Sequence, residues 1–403
     1  MTRPTASPTR EAHPVTPPAP HYAFAPDTAE PPGATLKEQL EALGIPQADL
    51  ARRTGLSTKH INQIVQGIAV LTPETALKLE LATDLPAEMW NQLEAAWRTH
   101  LSRISELQAL SAKVGWLDRF PLAELVARAI LPTRERSAEN LQRLLAFFGV
   151  ADPDLAENLW SSYNVAFRRS TVLPAKNEQT HEYATAVWLR QAELMARDLP
   201  CAPFDRTALT ALLPHLRALT LEEPAAWIEQ LPQLCAQAGV AVVFLPALPN
   251  TSVSGATRWL TPDKVGVALS DRFKKDDHFW FTLFHEIGHI LLHGKRLTFI
   301  DNVPRRGDKA APEGDHSEEE ANTYAAETLI PPQHAAAYQR LARRPMPFDK
   351  ITRFAEEAGI APGIVVGRLQ HDHALEWTHG NGLKRTIELT PAYHALPHEG
   401  PGR

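Results

Sequence analysis

Hydrophobic and polar positions along the chain predict three regions of different character. Residues 34–98 alternate short amphipathic helical stretches with glycine and proline breaks. Residues 99–234 are helical in texture, as in the run from Asn140 to Phe148, and no internal repeat or chemical motif marks them. Residues 235–390 begin with short β-branched stretches and continue into helices. The pattern therefore predicts a multi-domain chain with an all-α head, a helical connecting region and an α+β C-terminal domain.

The two ends of the chain lack this patterning. Residues 1–33 contain nine prolines and almost no apolar periodicity, and residues 391–403 are similar. Segments of this composition bury too little apolar surface to offset the entropy of folding. We therefore predict a disordered proline-rich leader and a flexible tail.

Three short strands are predicted before the most apolar helix of the chain. The stretches Val240–Leu245, Gly255–Leu260 and Val265–Ser270 are rich in β-branched or alternating residues, and prolines separate them. The stretch from Phe279 to Leu292 is then apolar almost all round, which is typical of a buried central helix. We expect a small sheet followed by this helix.

A His-Glu-x-x-His motif lies within the predicted buried helix. His285 and His289 are four residues apart, so they can present two imidazoles to one Zn²⁺ from a single helix face. Glu286 beside them has the position of a general base in a zinc protease. Such a short pattern also occurs by chance, but two histidines and a glutamate are costly inside an apolar helix unless they bind something. The motif predicts a zinc-dependent hydrolase.

A third metal ligand is expected, and His293 is the nearest candidate. It lies eight residues beyond His285, which is about 12 Å along a helix axis, too far for one metal to reach both. His293 is therefore expected to pack or to support a ligand. The metzincin pattern requires glycine and histidine where this chain has Leu292 and Lys295, so that class is excluded.

The remaining candidates lie in residues 317–331, which are predicted to form a second helix. Ser317 and Glu320 form a possible capping box at its start, and a proline ends it. At about 100° per residue, Glu318 lies on the same side as several small residues, whereas Glu320 lies on the opposite side. Glu318 is therefore the favoured ligand, and Asn322, one turn later, can hydrogen-bond a ligand histidine.

The assignment of the third ligand has two open alternatives. An acidic helix start is favoured by the helix macrodipole even without a metal. The chain also offers three successive carboxylates, Glu318, Glu319 and Glu320, so the ligand assignment can be displaced by one or two residues.

These residues resemble the ImmA/IrrE family of metallo-endopeptidases over roughly Cys235 to Pro332. The family's HExxH helix is followed by a Glu-x-x-Ala-Asn-x-aromatic-Ala-Ala helix, as it is here. The resemblance implies a zincin-like (gluzincin) fold, Zn²⁺ as cofactor and Glu286 as catalytic base. It implies three metal ligands: His285, His289 and Glu318. Members of the family cut a repressor, so the implied substrate is a protein.

Two details of this expected active site come from the predicted strands. The segment Gly255–Leu260 is the candidate edge strand on which a substrate would add as a further strand. Arg258, Tyr324 and His278 are candidates for stabilising an oxyanion, and the sequence does not rank them.

A second motif, between Gln47 and Val65, has the pattern of a helix-turn-helix. Ala51 is small enough to let two helices touch, Gly55 supplies the positive φ of the turn, and Ser57 is placed to cap the second helix. The shared core is predicted to contain Leu50, Leu56, Ile61 and Ile64. Flanking helices complete a compact unit from about Leu36 to Arg98.

This unit resembles the Cro-type (XRE) repressor domain, and more closely the HigA-type antitoxin subset, in the runs Ser57–Gln66 and Leu71–Leu77. The resemblance implies a double-stranded DNA operator as partner, with Gln47 touching phosphate. It implies that bases are read by Ser57, Thr58, Lys59, His60, Asn62 and Gln63.

The charge of this unit bears on how it binds DNA. Between Leu36 and Arg98 there are six Lys or Arg residues against eight Asp or Glu residues. Because non-specific DNA affinity rests on phosphate neutralisation, a monomer is expected to bind weakly, and a homodimer on a palindromic operator is the expected binding form. A protein-interaction module is the alternative.

Composition sets the outer bounds. The chain has 403 residues, 44% of them hydrophobic, which is enough for two or three cores. Cys201 and Cys235 are isolated, so we expect core residues and neither a metal-binding pair nor a disulfide framework. No apolar run approaches the roughly 20 residues that span a bilayer, and no signal pattern opens the chain, so a cytoplasmic protein without a membrane partner is predicted.

Three functional hypotheses follow. The first is a DNA-binding regulator whose zinc endopeptidase cleaves a protein partner such as a repressor. The second is a HigA-like antitoxin and transcriptional regulator that binds a toxin or another protein partner, and whose peptidase fold serves as a non-catalytic sensor or partner-binding domain. The third, an unrelated zinc hydrolase of small substrates, is disfavoured by the edge strand and by the DNA-binding head.

Overall fold

The computed structural model of the chain describes residues 29–158, 160, 178–249, 251, 253–293, 299–301, 316–343 and 347–389. Residues 1–28 of the predicted leader, the predicted tail 391–403, and Lys295 lie outside them. The described residues form two compact units, one within residues 1–106 and one within 107–395. In the described part of the chain, no helix is long and apolar enough to cross a membrane.

The N-terminal unit is entirely helical. Its helices are α1 (Pro32–Leu43), α2 (Gln47–Thr54), α3 (Thr58–Val65), α4 (Pro73–Thr83) and α5 (Ala87–Ser111), the last of which continues beyond the unit. Its core contains Leu36, Leu40, Leu50, Ile61, Ile64, Leu71, Ala76, Leu79, Ala87 and Trp90, with Leu56 partly buried against it. Helix α1 begins at Pro32, earlier than predicted from Leu36, because a proline is well suited to the first turn of a helix.

The second unit contains a four-stranded sheet with helices on both faces. Its strands are β1 (Val240–Phe244), β2 (Gly255–Thr261), β3 (Lys264–Leu269) and β4 (Phe299–Asp301). The spatial order is β1-β3-β2-β4, with β1 parallel to β3 and the other pairs antiparallel. The first three strands match the predicted strands to within one residue at each end.

The position of β2 corrects one sequence expectation. Gly255, Ala256 and Thr257 pair with β3 on one side and with β4 on the other. This half of the predicted edge strand is therefore internal to the sheet, and β1 and β4 are the edges among the described strands. The prediction failed because β4 comes from beyond the buried helix, in a stretch without a strand signal in the sequence.

The remaining helices surround this sheet. The helix Asp276–Leu292, here called the HExxH helix, packs on one face of the sheet, and the helix Glu178–Asp198 packs on the other face. The helix Pro362–His371 packs against the HExxH helix. The helix His316–Leu329, here called the glutamate helix, lies along the HExxH helix. Further α-helices of the described residues include Leu122–Ala127, Ala138–Phe148, Arg206–Ala218, Pro224–Ala236, Ala335–Ala342 and Phe348–Ala358.

The core of this unit lies between the sheet and the HExxH helix. Val242 of β1 and Val267 of β3 are buried there against Trp280, Phe284 and the rest of the apolar helix. Cys235 is fully buried in this core, as predicted, whereas Cys201 is only partly buried. The HExxH helix is therefore held in place by apolar packing along most of its length.

The N-terminus of the HExxH helix carries two buried carboxylates, Asp276 and Asp277, whose electrostatic surroundings differ. Asp277 lies 2.6 Å from the Lys384 ammonium, and both side chains are about 5% exposed. Asp276 is held differently: its Oδ1 accepts the backbone N–H groups of Asp277 and Arg385 at 3.0 Å. Burial, helped by the charge of Asp277, raises the pKa of Asp276 to about 6.

This difference predicts opposite effects on stability. A raised pKa means that the folded state favours protonated Asp276, so its stabilising contribution is present below about pH 4 and is lost as the pH rises through about 6. Asp276→Asn is therefore expected to raise the free energy of unfolding at pH 7.5 by roughly 1–2 kcal/mol, and to have little effect at pH 4.

Asp277→Asn is the matched comparison. It leaves the buried Lys384 ammonium without its carboxylate and is expected to cost about 3 kcal/mol. Thermal unfolding of the metal-free protein, followed by circular dichroism at both pH values, measures the two variants. Equal destabilisation by both at pH 7.5 would contradict the assignment of the raised pKa to Asp276.

Candidate metal centre

The site forms where the HExxH helix and the glutamate helix touch. Gly288 permits this contact, because a Cβ added there would lie 3.2 Å from Cα of Ala321. Ala321 and Ala325 are fully buried at the same contact. Small residues on both helices therefore bring the two backbones close enough for side chains from each to meet.

Three donor side chains converge at this contact. Nε2 of His285 lies 3.2 Å from Oε2 of Glu318, and Nε2 of His289 lies 3.4 Å from Oε1 of the same carboxylate. The two histidine Nε2 atoms are 2.9 Å apart. The set His285, His289 and Glu318 thus offers three donor atoms within 4.8 Å of one another.

These separations fit a tetrahedral metal ion. Two donors at about 2.05 Å from a tetrahedral centre lie roughly 3.3 Å apart, and the separations in the triad are close to that value. Two imidazoles and one carboxylate are a donor set that Zn²⁺ uses in catalytic sites, where a fourth position stays open. The residues present therefore fit a zinc ion.

Charge and burial prepare the donors for a cation. Burial raises the pKa of Glu318, but the hydrogen bonds of its carboxylate with His285 and His289 outweigh burial and lower the pKa to about 2. Burial lowers the pKa of His289, which favours the neutral imidazole. An ionised carboxylate and a neutral imidazole are the forms that bind a metal.

Each histidine is oriented by a second partner. Nδ1 of His285 lies 3.0 Å from Oδ1 of Asn322, so the Nδ1–H can donate to this amide oxygen and leave Nε2 with its lone pair. Nδ1 of His289 lies 3.1 Å from Nδ1 of His293, whose Nε2 lies 3.1 Å from Oε2 of Glu320. His293 is thus not one of the three converging donors and contacts His289, as predicted.

The start of the glutamate helix differs from the prediction. The glutamate helix begins at His316, so Ser317 lies inside its first turn and is not the N-cap. The expected capping box with Glu320 is therefore wrong, because Ser317 lies within the helix and cannot be its N-cap. Glu320 is not one of the three donors and is mostly exposed, as predicted, and its carboxylate contacts His293.

Glu286 lies in a fully buried position between the HExxH helix and β2. The hydroxyl of Thr257 donates to Oε2 of Glu286 at 2.5 Å. A Cβ added at Gly255 would lie 2.7 Å from Oε1 of Glu286, so only glycine leaves room for this carboxylate. Two residues of strand β2 thus fix the position of the Glu286 side chain, the predicted catalytic base.

Sequence reasoning missed Thr257 and Gly255. Both were placed in a strand, but their face could not be assigned without the register of the sheet. The available signal was a period of two, because Gly255 and Thr257 share one face while Ala256 and Arg258 share the other.

Each of the three candidate oxyanion residues has a contact of its own in the described structure. Arg258 lies on the opposite face of the sheet and pairs with Glu193 at 2.8 Å. The Tyr324 hydroxyl hydrogen-bonds Thr328, one turn beyond it. His278 stacks on Phe273 and precedes His285 by seven residues, or about 10 Å along the axis.

The predicted DNA-reading residues lie on and around α3. Gly55 has φ of 71° at the turn, and Ser57 caps α3 by accepting the backbone N–H of His60. Four of the predicted residues are exposed: Ser57, Thr58, Lys59 and Asn62. Three are partly buried: Gln47, His60 and Gln63. The hydroxyl oxygen of Ser57 already accepts a hydrogen bond within its own helix.

The arginines of the preceding helix are already paired. Arg52 and Arg53 lie 3.1 Å and 2.8 Å from carboxylate oxygens of Asp49 within α2. Lys59 is the only Lys or Arg residue of α3, and it is exposed.

Comparisons with known proteins match two parts of the chain. A helix-turn-helix family model matches residues 36–90, and a model of the IrrE N-terminal-like domain of peptidase family M78 matches residues 235–369. A relative in Escherichia coli (strain K12), the uncharacterized HTH-type transcriptional regulator YddM, is 32% identical over 66 residues. That match covers 16% of this chain and 70% of the relative.

Proposed function

We propose that this chain, which belongs to the helix-turn-helix transcriptional regulators and carries an IrrE N-terminal-like domain, binds an operator with its N-terminal unit and cleaves a protein partner with a zinc site. The protein partner is a repressor or another regulatory protein. The observation that carries the proposal is the convergence of His285, His289 and Glu318 beside the buried Glu286. Loss of cleavage in Glu286→Gln with retained zinc is its decisive test.

The proposed chemistry follows from the positions of the side chains. A zinc ion held by the triad would supply Lewis acidity to a water molecule and to the scissile carbonyl. Glu286 would accept a proton from the attacking water and pass it to the leaving amine. Thr257 keeps one carboxylate oxygen of Glu286 occupied and so orients the other for proton transfer.

The sheet supports a protein substrate and a zincin-like arrangement. Strand β4 is an edge among the described strands and lies next to β2. Thr257 of β2 hydrogen-bonds the Glu286 side chain. An extended peptide adding to an edge strand would run beside the HExxH helix, with its main chain held by sheet hydrogen bonds. We therefore propose the edge at Phe299–Asp301, instead of Gly255–Leu260, for substrate binding.

Thr257 provides a test of how Glu286 is positioned. Thr257→Val keeps the shape of the side chain and removes the hydroxyl, so kcat is expected to fall by about 10-fold through loss of one charge-assisted hydrogen bond. KM and zinc content should stay unchanged, and Thr257→Ser should restore kcat. A rise in KM with unchanged kcat would show that Thr257 acts on substrate binding instead.

The DNA-binding half is tested on α3. Lys59→Ala with Asn62→Ala is expected to weaken binding to a DNA site selected by the parent protein from a random pool by at least about 10-fold, because two predicted contacts with base edges are lost. Lys78→Ala on α4 is the matched control, since it removes one exposed lysine outside α3. Unchanged affinity of the double variant in a gel-shift assay would rule out α3 as the recognition helix.

We propose a homodimer as the DNA-binding form. The acidic balance of residues 36–98 limits the affinity of one unit for DNA, and two recognition helices on a palindrome would compensate. Leu77 and Leu81 of α4, one turn apart and 57% and 88% exposed, are apolar surface that a second copy could cover. Light scattering with and without the selected DNA measures the assembly.

A further inference from the structure

A cavity of about 370 Å³ lies on the face of the sheet that is turned away from the HExxH helix. The helix Glu178–Asp198 forms one wall and the strands form the other. The volume falls within the range of small-molecule pockets, about 300–1,000 Å³. This cavity shares no lining residue with the donor triad.

Small side chains create the space. Ala192 and Ala196 line it from the helix, and Ala256 and Ala268 line it from the strands. Protein interiors are usually filled to the density of organic crystals, so a cavity of this volume with four alanines in its lining is space that another molecule can fill. The chamber suits the hydrocarbon part of a ligand.

A cluster of charges lines the same cavity. The carboxylate of Glu193, only 4% exposed, lies 3.1 Å from Arg190, 2.5 Å from Arg197 and 2.8 Å from Arg258. The described lining of the cavity thus carries three arginines and one acidic residue. Arg190 also donates to the carbonyl oxygen of Phe147 at 2.8 Å, so its guanidinium is held in a fixed orientation.

We propose that this cavity binds a small anionic molecule with an apolar body, whose carboxylate or phosphate group joins the arginine cluster. Guanidinium groups match such oxyanions in charge and geometry, and three of them line this cavity. The alanine-lined chamber takes the apolar part. The site is independent of zinc and of cleavage.

Strand β2 connects this cavity with the metal centre. Ala256 and Arg258 face the cavity, while Gly255 and Thr257 between and beside them face Glu286. Successive residues of a strand point to opposite faces, so one strand is a wall of both sites. The ligand site and the proposed catalytic base therefore lie on opposite faces of the same strand.

Calorimetric titration of the full chain tests the proposal. The probes are sodium octanoate, octyl phosphate and 1-octanol, which share one alkyl chain and differ in the head group. Octanoate or octyl phosphate is expected to bind with a stoichiometry of one and at least 10-fold more tightly than 1-octanol. The tighter of the two anions identifies the head group that the arginines prefer.

Two variants locate the binding. Arg258→Gln removes one guanidinium and leaves Glu193 with two, and Ala192→Leu fills the chamber. Each is expected to raise the dissociation constant at least 10-fold, whereas Arg353→Gln, at an exposed arginine outside the cavity, should not change it. If Ala192→Leu does not fold by circular dichroism, Arg258→Gln decides alone. Equal affinity of Arg258→Gln and the parent, tight binding of 1-octanol, or no binding of either anion would overturn the proposal.

Discussion

Replacing Glu286 by glutamine is expected to abolish cleavage while the protein keeps its zinc. Glutamine has almost the same shape and can still accept the hydroxyl hydrogen bond of Thr257, but it cannot take a proton from water. General-base catalysis contributes about 10²–10⁴-fold, so the rate should fall by roughly 10³-fold or more. The three metal donors are not altered, so the zinc content should equal that of the parent.

The measurement can also identify the substrate. Cells expressing the parent, Glu286→Gln or the control Glu319→Gln are compared by N-terminal proteomics, and zinc is measured in each purified protein. Glu319 is an exposed carboxylate in the same turn of the glutamate helix as Glu318, so its variant controls for the loss of a negative charge. New protein N-termini should appear with the parent and the control and be absent with Glu286→Gln.

The opposite outcome would favour a different function. If Glu286→Gln leaves both the protein N-termini and the regulated transcripts unchanged, the peptidase fold acts as a sensor or partner-binding domain of a DNA-binding regulator. Under that second hypothesis, Lys59→Ala with Asn62→Ala would still impair regulation.

Glu318→Ala is expected to remove zinc almost completely. The variant leaves two histidines from one helix, and zinc affinity should fall by well over about 100-fold, the upper end for losing a mere supporting hydrogen bond. The HExxH helix, which carries His285 and His289, would remain folded, because apolar packing holds it independently of the metal.

The neighbouring carboxylates separate the possible ligand assignments. Glu319→Ala should keep full zinc content, and Glu320→Ala should lower the affinity moderately, because Glu320 acts only through His293. Competition with a chromophoric chelator measures all three variants. Zinc loss that is greatest in Glu319→Ala or Glu320→Ala would move the ligand to that position.

Local patterns were sufficient to predict several parts of this structure. The strands before the HExxH helix follow from β-branched runs and proline breaks, and the turn at Gly55 follows from the need for a positive φ. The face of the glutamate helix on which Glu318 lies follows from helical periodicity and from the small residues beside it. In each case the information lies within one or two turns of the chain.

Contacts between distant segments were not predictable in the same way. The hydroxyl of Thr257 meets Glu286 across 29 residues, and Arg258 meets Glu193 across 65 residues. Asp277 meets Lys384, which comes from the far end of the domain. These pairs depend on sheet register and on helix placement, which tertiary packing determines and which no local spacing encodes.

Anomalous diffraction at the zinc absorption edge, on crystals of the full chain purified without chelator, tests the central claim most directly. We predict one zinc peak per chain, bonded to Nε2 of His285, Nε2 of His289 and the carboxylate of Glu318, with Glu286 beside it. No peak, or a peak bonded to another set such as His293 and Glu320, would contradict the proposed metal centre.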